Sequence, residues 1–506
     1  MKTLLLCCLI VTGFNSAAND THSKIQWSKF NKESFEQAKF QGKFVILDLV
    51  AVWCHWCHVM DKTTYTDDNV VNLLNKHFIT TQADHDLRPD LAERYRDWGW
   101  PATIVLTSDG TEIVKRAGYI DPINMARLLQ AIIDDPSPET TTLNLPDQLS
   151  TSPYLSQELV KSLKSMHLKA YDPELGGLKL NMKFIDVDSI EWDLKLASEG
   201  NIEASKRIIN TLDNAVNLID SEFGGAYQYS TFGDWHHPHY EKIMHTQFKF
   251  LKAYSSACQQ LNLKRYCQSA KKVANYLLEF LYSNQTGAFY TSQDADLNQG
   301  EKADGYFKLN RQQRLAQGLP RIDKHSYSSH NGKAIAGLVH LYLATGENKY
   351  LDPAVKASDW IMNNRSLNNG GFKHDKQDSA GPYLADTLYM GRAFLLLYQA
   401  TKEDRYLNKA IQAAGFIQNK FQYKLGGLVS AVDNGTPAQP LPQLEQNIDA
   451  TRFFLEIYTH KKTDSLKNAI DHNMKFLATK EISTSRFTEA GVLLAHFKYT
   501  DIFKVE

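Results

Sequence analysis

Cysteine is rare in this chain, six residues in 506, and two of the six, Cys7 and Cys8, fall inside an apolar leader. The remaining four, Cys54, Cys57, Cys258 and Cys267, are an even number that fits two disulfides in an exported protein. There is one C-x-x-C, so the distant second ligand pair of a structural zinc site is missing, and no H-x-x-x-H spacing supports a helical metal site. Beyond the leader no segment is long and apolar enough to span a bilayer. An excess of either charge is lacking too. With 56 basic and 57 acidic residues the net charge is −1, without the basic stripe a nucleic-acid partner calls for. No cofactor is expected.

Lys2, the run Leu4-Leu5-Leu6-Cys7-Cys8-Leu9-Ile10-Val11 and the small residues Ser16-Ala17-Ala18 read as a signal peptide over residues 1–18. The mature protein is therefore expected to be secreted or periplasmic. With 43% hydrophobic residues, the chain is globular and large enough for two or more domains. N-x-S/T sequons at Asn19, Asn284, Asn364 and Asn434 are glycosylation acceptors in a eukaryotic source.

The most informative stretch runs from Phe44 to His58. Phe44-Val45-Ile46-Leu47-Asp48-Leu49-Val50-Ala51-Val52 reads as a buried strand, and Trp53-Cys54-His55-Trp56-Cys57 follows it with residues that can open a helix. A cysteine at a helix N-terminus faces unpaired N–H groups and the positive end of the dipole, both of which favour thiolate. Cys54 is the expected nucleophile and Cys57, one turn on, the resolving thiol. Asp48 on the strand is the expected proton carrier for Cys57. Pro101, in Trp98-Gly99-Trp100-Pro101 before the strand Ile104-Val105-Leu106, is the expected cis proline that shapes the substrate groove. The same residues satisfy C-x-x-C-H, the pattern of covalent haem attachment, but haem does not call for the strand, Asp48 or Pro101. A zinc site and a purely structural disulfide are the other readings.

Residues 19–135 alternate strand and helix, with a strand at 44–52, a long helix at 59–75 and a strand at 78–84, and form a mixed α/β domain. Residues 136–153, rich in Pro, Ser, Thr and Asp, read as a linker. From 154 to 506 helices are separated by glycine-marked turns: Gly176-Gly177-Leu178, Gly224-Gly225-Ala226, Gly287-Ala288-Phe289, Gly370-Gly371-Phe372 and Gly426-Gly427-Leu428. An irregular repeat of paired helices predicts stacked α-hairpins, which bury both end faces by closing into a toroid. Cys258 and Cys267 flank a helix turn and can staple its arms; two free buried thiols fit as well.

Cys54-His55-Trp56-Cys57-His58-Val59-Met60, Ala83-Asp84-His85-Asp86-Leu87-Arg88-Pro89-Asp90 and Gly99-Trp100-Pro101 resemble the thioredoxin-domain family that includes spermatogenesis-associated protein 20 and bacterial YyaL-type proteins. So do Asn181-Met182-Lys183-Phe184, Pro238 to Met244, Ser292-Gln293-Asp294-Ala295-Asp296 and His330-Asn331-Gly332. The resemblance implies an α/β thioredoxin-like N-terminal domain followed by an all-α (α/α)6 toroid of the six-hairpin glycosidase and epimerase type. Trp98-Gly99 departs from the two glycines the family usually carries there.

In such a toroid the mouth is lined by residues at hairpin ends. Asp234, Trp235, His236, His237, His239, Glu241, Asp294, Asp296, His330 and Asp386 fall there. Carboxylates with aromatic faces suit glycoside cleavage, and histidines suit an epimerase. Turn capping by Asp294 and Asp296, and a metal site at His236, His237, His239 and Glu241, are alternatives. The expected function is thiol–disulfide exchange on a protein thiol, disulfide or redox donor, with a partner or glycan in the toroid. A carbohydrate-active enzyme and a non-catalytic binding scaffold are the other two functions considered.

Overall fold

A computed structural model describes residues 25–139, 145–378 and 380–503. The expected signal peptide, Cys7, Cys8 and Asn19 lie outside the described residues. The N-terminal domain runs β1 (Ser28–Lys29), α1 (Lys32–Gln41), β2 (Phe44–Val50), α2 (His55–Thr63), α3 (Asp68–His77), β3 (Phe78–Asp84), α4 (Pro89–Arg94), β4 (Ala102–Leu106), β5 (Glu112–Ala117) and α5 (Pro122–Asp134). The sheet order is β1-β3-β2-β4-β5, with β2 parallel to β3 and antiparallel to β4.

The central strand explains its own sequence. Ile46 packs with Met60, Val70 and Leu74 on one face, and Val45, Leu47 and Leu49 pack with Phe35, Ala38 and Ile104 on the other. A strand buried on both faces has no polar side to alternate with. The long helix expected over 59–75 is broken in two. Asp67 turns out of the helix and accepts hydrogen bonds from the N–H groups of Asn69 and Val70, capping α3. Asp and Asn favour a cap over a helix interior because their side chains compete for backbone N–H.

The rest is helical: α6 (Gln157–Ala170), α7 (Val187–Ser198), α8 (Ile202–Ala215), α9 (Met244–Leu261), α10 (Lys264–Tyr276), α11 (Asp304–Phe307), α12 (Arg311–Gln317), α13 (Ser328–Thr345), α14 (Asn348–Arg365), α15 (Leu384–Thr401), α16 (Asp404–Lys420), α17 (Leu444–His460), α18 (Asp464–Leu477), α19 (Lys480–Ser483) and α20 (Ala490–Phe503). Helices α7, α9, α13, α15, α17 and α20 each pack on the next, and α20 packs on α7 to close an inner ring. Helices α6, α8, α10, α14, α16 and α18 alternate with them along the chain, giving an (α/α)6 toroid.

The glycine turns of the sequence have a structural partner in four of the inner helices. Gln247 accepts from the Ala226 N–H and donates to its carbonyl, Asn331 does the same to Phe289, and Asn447 to Leu428. Thr387 accepts from Phe372 N–H. Each turn is thus latched to the first turn of an inner helix by a buried polar side chain that satisfies otherwise orphaned backbone groups. Gly224 has φ 70°, and a Cβ there would overlap the Lys272 carbonyl, so only glycine fits.

Cys258 on α9 and Cys267 on α10 are joined by a disulfide with a Cα separation of 5.3 Å. The linker is pinned at both ends: Glu139 N–H donates to the Ile113 carbonyl and Ser150 N–H to Thr479 Oγ1.

Candidate active site

The strand β2 delivers the chain to Cys54, the N-cap of α2. Its Sγ accepts from the Cys57 N–H at 3.1 Å, and the two cysteines form a disulfide with a Cα separation of 5.3 Å. Trp100-Pro101 is a cis peptide leading into β4. Asp48 lies buried on β2, accepting hydrogen bonds from Gln82 Nε2 at 3.0 Å and Tyr65 Oη at 3.1 Å. Burial pushes its carboxyl up to about 7, against the hydrogen bond from Gln82. A carboxyl poised there can both take and give a proton at neutral pH.

The thioredoxin-like domain sits on the toroid with its Cys54–Cys57 disulfide facing the mouth. Cys54 and Cys57, 4% and 2% exposed, pack with Ala51 and Trp53, and Ile243 of the toroid lies against the same cluster. Two hubs fasten the domains. At the first, Asp86 of the loop after β3 accepts from Trp53 Nε1 at 2.9 Å and lies 2.9 Å from His85 Nδ1 and 3.1 Å from His330 Nε2. Despite burial, His85 and His330 hold its carboxyl well below the usual range. Its backbone carbonyl accepts from His374 Nε2 at 2.6 Å, while His374 Nδ1 lies 2.8 Å from Asp386. Although burial pulls the His374 imidazolium down, Asp386 holds it above the ordinary histidine value.

At the second hub, Asp296 meets His55 Nδ1 at 2.7 Å and His58 Nδ1 at 3.4 Å. Burial opposes its charge, but the two histidines bring it down to about 2. Asp294, buried nearby, is pushed up to about 6 by burial. His58, Asp294 and Asp296 can each bring one ligand atom within 4.8 Å of the others, a set able to hold a divalent cation.

Between the domains lies a chamber of about 510 Å3. Cys54, Trp56 and Trp100 line it from one side, and Tyr229, His239, Glu241, His245, Lys249, His330, Lys333 and Tyr389 from the other. Buried polar side-chain atoms normally find partners. Yet Glu93 Oε2, Trp100 Nε1, Glu241 Oε2 and His245 Nδ1, all on lining residues, make no hydrogen bond among the described residues. The chamber is contiguous with a second, of about 410 Å3, on the toroid axis, sharing Arg96, Asp97, Phe184, His245, Lys249 and Tyr389. There Asp188, Arg392, Asp449 and Glu489 come together. Burial pushes Glu489 up to about 8, against the attraction of Arg486.

Of the toroid candidates, His239, Glu241 and His330 line the first chamber. Asp294 and Asp296 belong to the seam with α2. Asp386 lies beneath the mouth, accepting from Ser329 N–H and supporting His374. Asp234, Trp235 and His236 are corrected: none lines either chamber. Trp235 is a core residue whose Nε1 donates to the Leu175 carbonyl, because an indole is the largest apolar surface the hairpin end has to bury. Asp234 caps its own turn, accepting from the His236 N–H and lying 2.9 Å from His237 Nδ1. With His237 held by Asp234 and His239 stacked on Tyr229 at 4.3 Å, the histidines of this loop do not converge as a metal site. Residues missed from the sequence are Asp86, Arg96, His245, Lys249, His374 and Glu489. Lys333 was three positions beyond a singled-out motif residue, His330, on the same helix face.

Residues 201–476 match the family model described as beta-L-arabinofuranosidase, GH127 catalytic domain, and residues 16–133 match one described as a protein of unknown function, DUF255, labelled Thioredox_DsbH. Uncharacterized protein B0495.5 of Caenorhabditis elegans is 23% identical over 81% of this chain and 73% of its own length. Spermatogenesis-associated protein 20 of Rattus norvegicus is 26% identical over 54% of this chain, which spans 39% of that protein. Thiol:disulfide interchange protein DsbD of Yersinia pestis is 32% identical over 18% of this chain and 16% of its own length. Among solved structures, D-mannose isomerase is similar with a TM-score of 0.51 and 14% identity, over 69% of this chain and 98% of that one. That likeness shows the toroid fold.

Proposed function

Because the chain belongs, through its toroid, to the family described as beta-L-arabinofuranosidase, GH127 catalytic domain, and sets a C-x-x-C disulfide over that toroid's mouth, we propose that it is a thiol–disulfide oxidoreductase whose substrate is held by the toroid. The observation that carries this reading is the Cys54–Cys57 disulfide at the N-terminus of α2, opening onto the chamber between the domains. Similarity to DsbD, a thiol:disulfide interchange protein, supports it.

In the proposed mechanism an incoming thiolate attacks Cys54 Sγ, breaking the disulfide and releasing Cys57, which takes up a proton. The helix N-terminus stabilises thiolate at Cys54 when the pair is reduced. In this reading Asp48, buried on β2 and half-protonated near neutrality, supplies the Cys57 proton, and Pro101, next to the Trp100 that packs on the pair, shapes the substrate groove. The apolar run from Leu4 to Val11, read as part of a signal peptide, supports an exported protein, where such a pair would be kept oxidised. The test is Cys54→Ser: it should abolish exchange with dithiothreitol, and Cys57→Ser, offered 2-hydroxyethyl disulfide, should keep one half of it as a mixed disulfide on Cys54 and release the other half as a thiol. Unchanged exchange in Cys54→Ser would refute the reading.

A second reading, a carbohydrate-active toroid, is favoured by one observation. Glu489, with its pKa at about 8, is protonated at neutral pH and lines a chamber with the carboxylates Asp188 and Asp449, the mixed acid and carboxylate set of glycoside cleavage. Sugar turnover that survives Cys54→Ser and is lost in Glu489→Gln would establish it.

A further inference from the structure

We propose that the chamber between the domains admits a small anionic thiol or disulfide, whose negative group is bound by Lys249 and Lys333 while its sulfur meets Cys54. This rests on the oxidoreductase reading and names the class of its substrate.

The first argument is access. A folded protein substrate has to bring its own sulfur, with the backbone that carries it, up to Cys54. Here that approach is roofed. Cys54 is buried in a cluster with Trp53 and Cys57, Trp100 and the toroid's Ile243 pack against it, and Trp100 faces the chamber rather than open solvent. The space in front of the pair, about 510 Å3, falls in the range of small-molecule pockets, roughly 300–1,000 Å3.

The second argument is charge. Lys249 forms no hydrogen bond or ion pair among the described residues, and Lys333 has only the Tyr389 ring, 4.4 Å from its Nζ. A desolvated ammonium without an anion is costly. Burial, aided at Lys249 by Arg96, depresses both ammonium groups, Lys249 to about 8. His245, whose Nδ1 has no partner, and Arg96 add to the same wall.

Asp186 and Asp188 attract Lys249, and Glu93, Asp86 and Asp449 attract Lys333, but none of these carboxylates forms a hydrogen bond or ion pair with either lysine among the described residues, and burial outweighs them. Asp86 is taken by Trp53, His85 and His330, Glu93 faces Arg96 at 3.7 Å, and Glu241 faces His239 at 3.9 Å. Asp97, which also lines the chamber, forms no ion pair with either lysine among the described residues. A carboxylate, phosphate or sulfonate on the ligand would complete the pairing, and Trp100 Nε1, which makes no hydrogen bond among the described residues, lines the same chamber.

The exchange balances with the ligand alone. A ligand thiolate attacks Cys54 Sγ and the Cys54–Cys57 bond breaks, leaving Cys57 as a thiol. A second ligand thiolate attacks the ligand sulfur of the mixed disulfide and releases Cys54. Two thiols become one disulfide and two electrons pass to the pair; run backwards, the reduced pair cleaves an anionic disulfide.

The test uses the reduced full-length protein and three disulfides of similar size: dianionic 3,3′-dithiodipropionate, dicationic cystamine and neutral 2-hydroxyethyl disulfide. Each rate of oxidation is divided by that reagent's rate with free dithiothreitol. The dianion should be favoured over the dication by about tenfold or more, the scale of electrostatic complementarity at a charged site. Lys249→Gln combined with Lys333→Gln should bring the dianion-to-dication ratio to about one, and a cooperative melt followed by circular dichroism shows that the variant is folded. Equal or reversed preference, an unaltered preference in the double variant, or faster oxidation by insulin than by all three small disulfides would overturn the inference. If no disulfide, insulin included, oxidises the reduced pair, the oxidoreductase reading fails and takes this inference with it.

Discussion

His330 of the toroid and Asp86 of the thioredoxin-like domain, 244 positions apart in the chain, approach to 3.1 Å between Nε2 and Oδ1. Asp86 is also the acceptor for Trp53 Nε1, one residue before Cys54. The contact that docks the domains therefore also fixes the wall beside the Cys54–Cys57 disulfide.

Asp86→Ala leaves Trp53 Nε1 and His330 Nε2 buried without their acceptor. The expected loss is about 3 kcal/mol, the scale of breaking a buried charged pair. Chemical denaturation followed by tryptophan fluorescence checks it, and a midpoint equal to the parent's would contradict the docking role.

The second hub responds to pH on both sides. Asp296 is held at about 2, below its ordinary value. Its contribution is present above about pH 4 and is lost as pH falls through the folded value, amounting to about 2 kcal/mol. Against burial, Asp296 holds His58 above the usual histidine value. That contribution is complete at low pH and fades as pH rises through the raised value. Protection of the α2 amides, measured as hydrogen exchange relative to the intrinsic rate at each pH, should therefore be greatest in mildly acidic solution and smaller at both extremes, and Asp296→Asn should flatten the profile.

Asp48 ties stability to chemistry. Its folded value of about 7 lies above the ordinary carboxyl value, so stability declines as pH rises from about 4 through 7. Asp48→Asn should gain on the order of 3 kcal/mol at pH 8 relative to the parent and little at pH 4. It should also slow release of the mixed disulfide by about a hundredfold and remove an inflection near pH 7 from that rate. Stopped-flow traces in which the inflection persists would assign the proton to another group.

Asn447 serves as one latch of the ring, accepting from Leu428 N–H at 2.7 Å and donating to its carbonyl at 3.0 Å. Asn447→Ala orphans both groups and should cost about 3 kcal/mol. The loss would appear as a lowered melting temperature with the redox pair still titratable, and no change in melting would show the latch to be dispensable.

How much of this could be read from the chain differs by element. The Phe44–Val50 strand and the cysteine pair were legible because their chemistry is local: an unbroken apolar run means two buried faces, and two thiols one turn apart mean one site. The glycine turns were legible as punctuation, but not the reason for them, since Gln247, Asn331 and Asn447 look like ordinary helix residues until their turn is beside them. Trp235 misled because an aromatic next to Asp234 at a hairpin end reads as a sugar platform, whereas the indole was needed to fill the core. Lys249 and Arg96 could not be found at all. Each becomes a wall of the chamber only when the two domains dock, and docking leaves no periodicity in a sequence.

The ring of inner helices closes only through the contact of α20 with α7. During synthesis N-terminal domains fold first, so the thioredoxin-like domain can be complete while the wall that will roof it is still being made. Until Ile243 and the later lining residues, the last of them Tyr389, have emerged, Cys54 stands open to any oxidant, large or small. Afterwards only what passes the chamber can reach it. The same disulfide is thus a public bond while the chain is being born and a private one in the finished molecule.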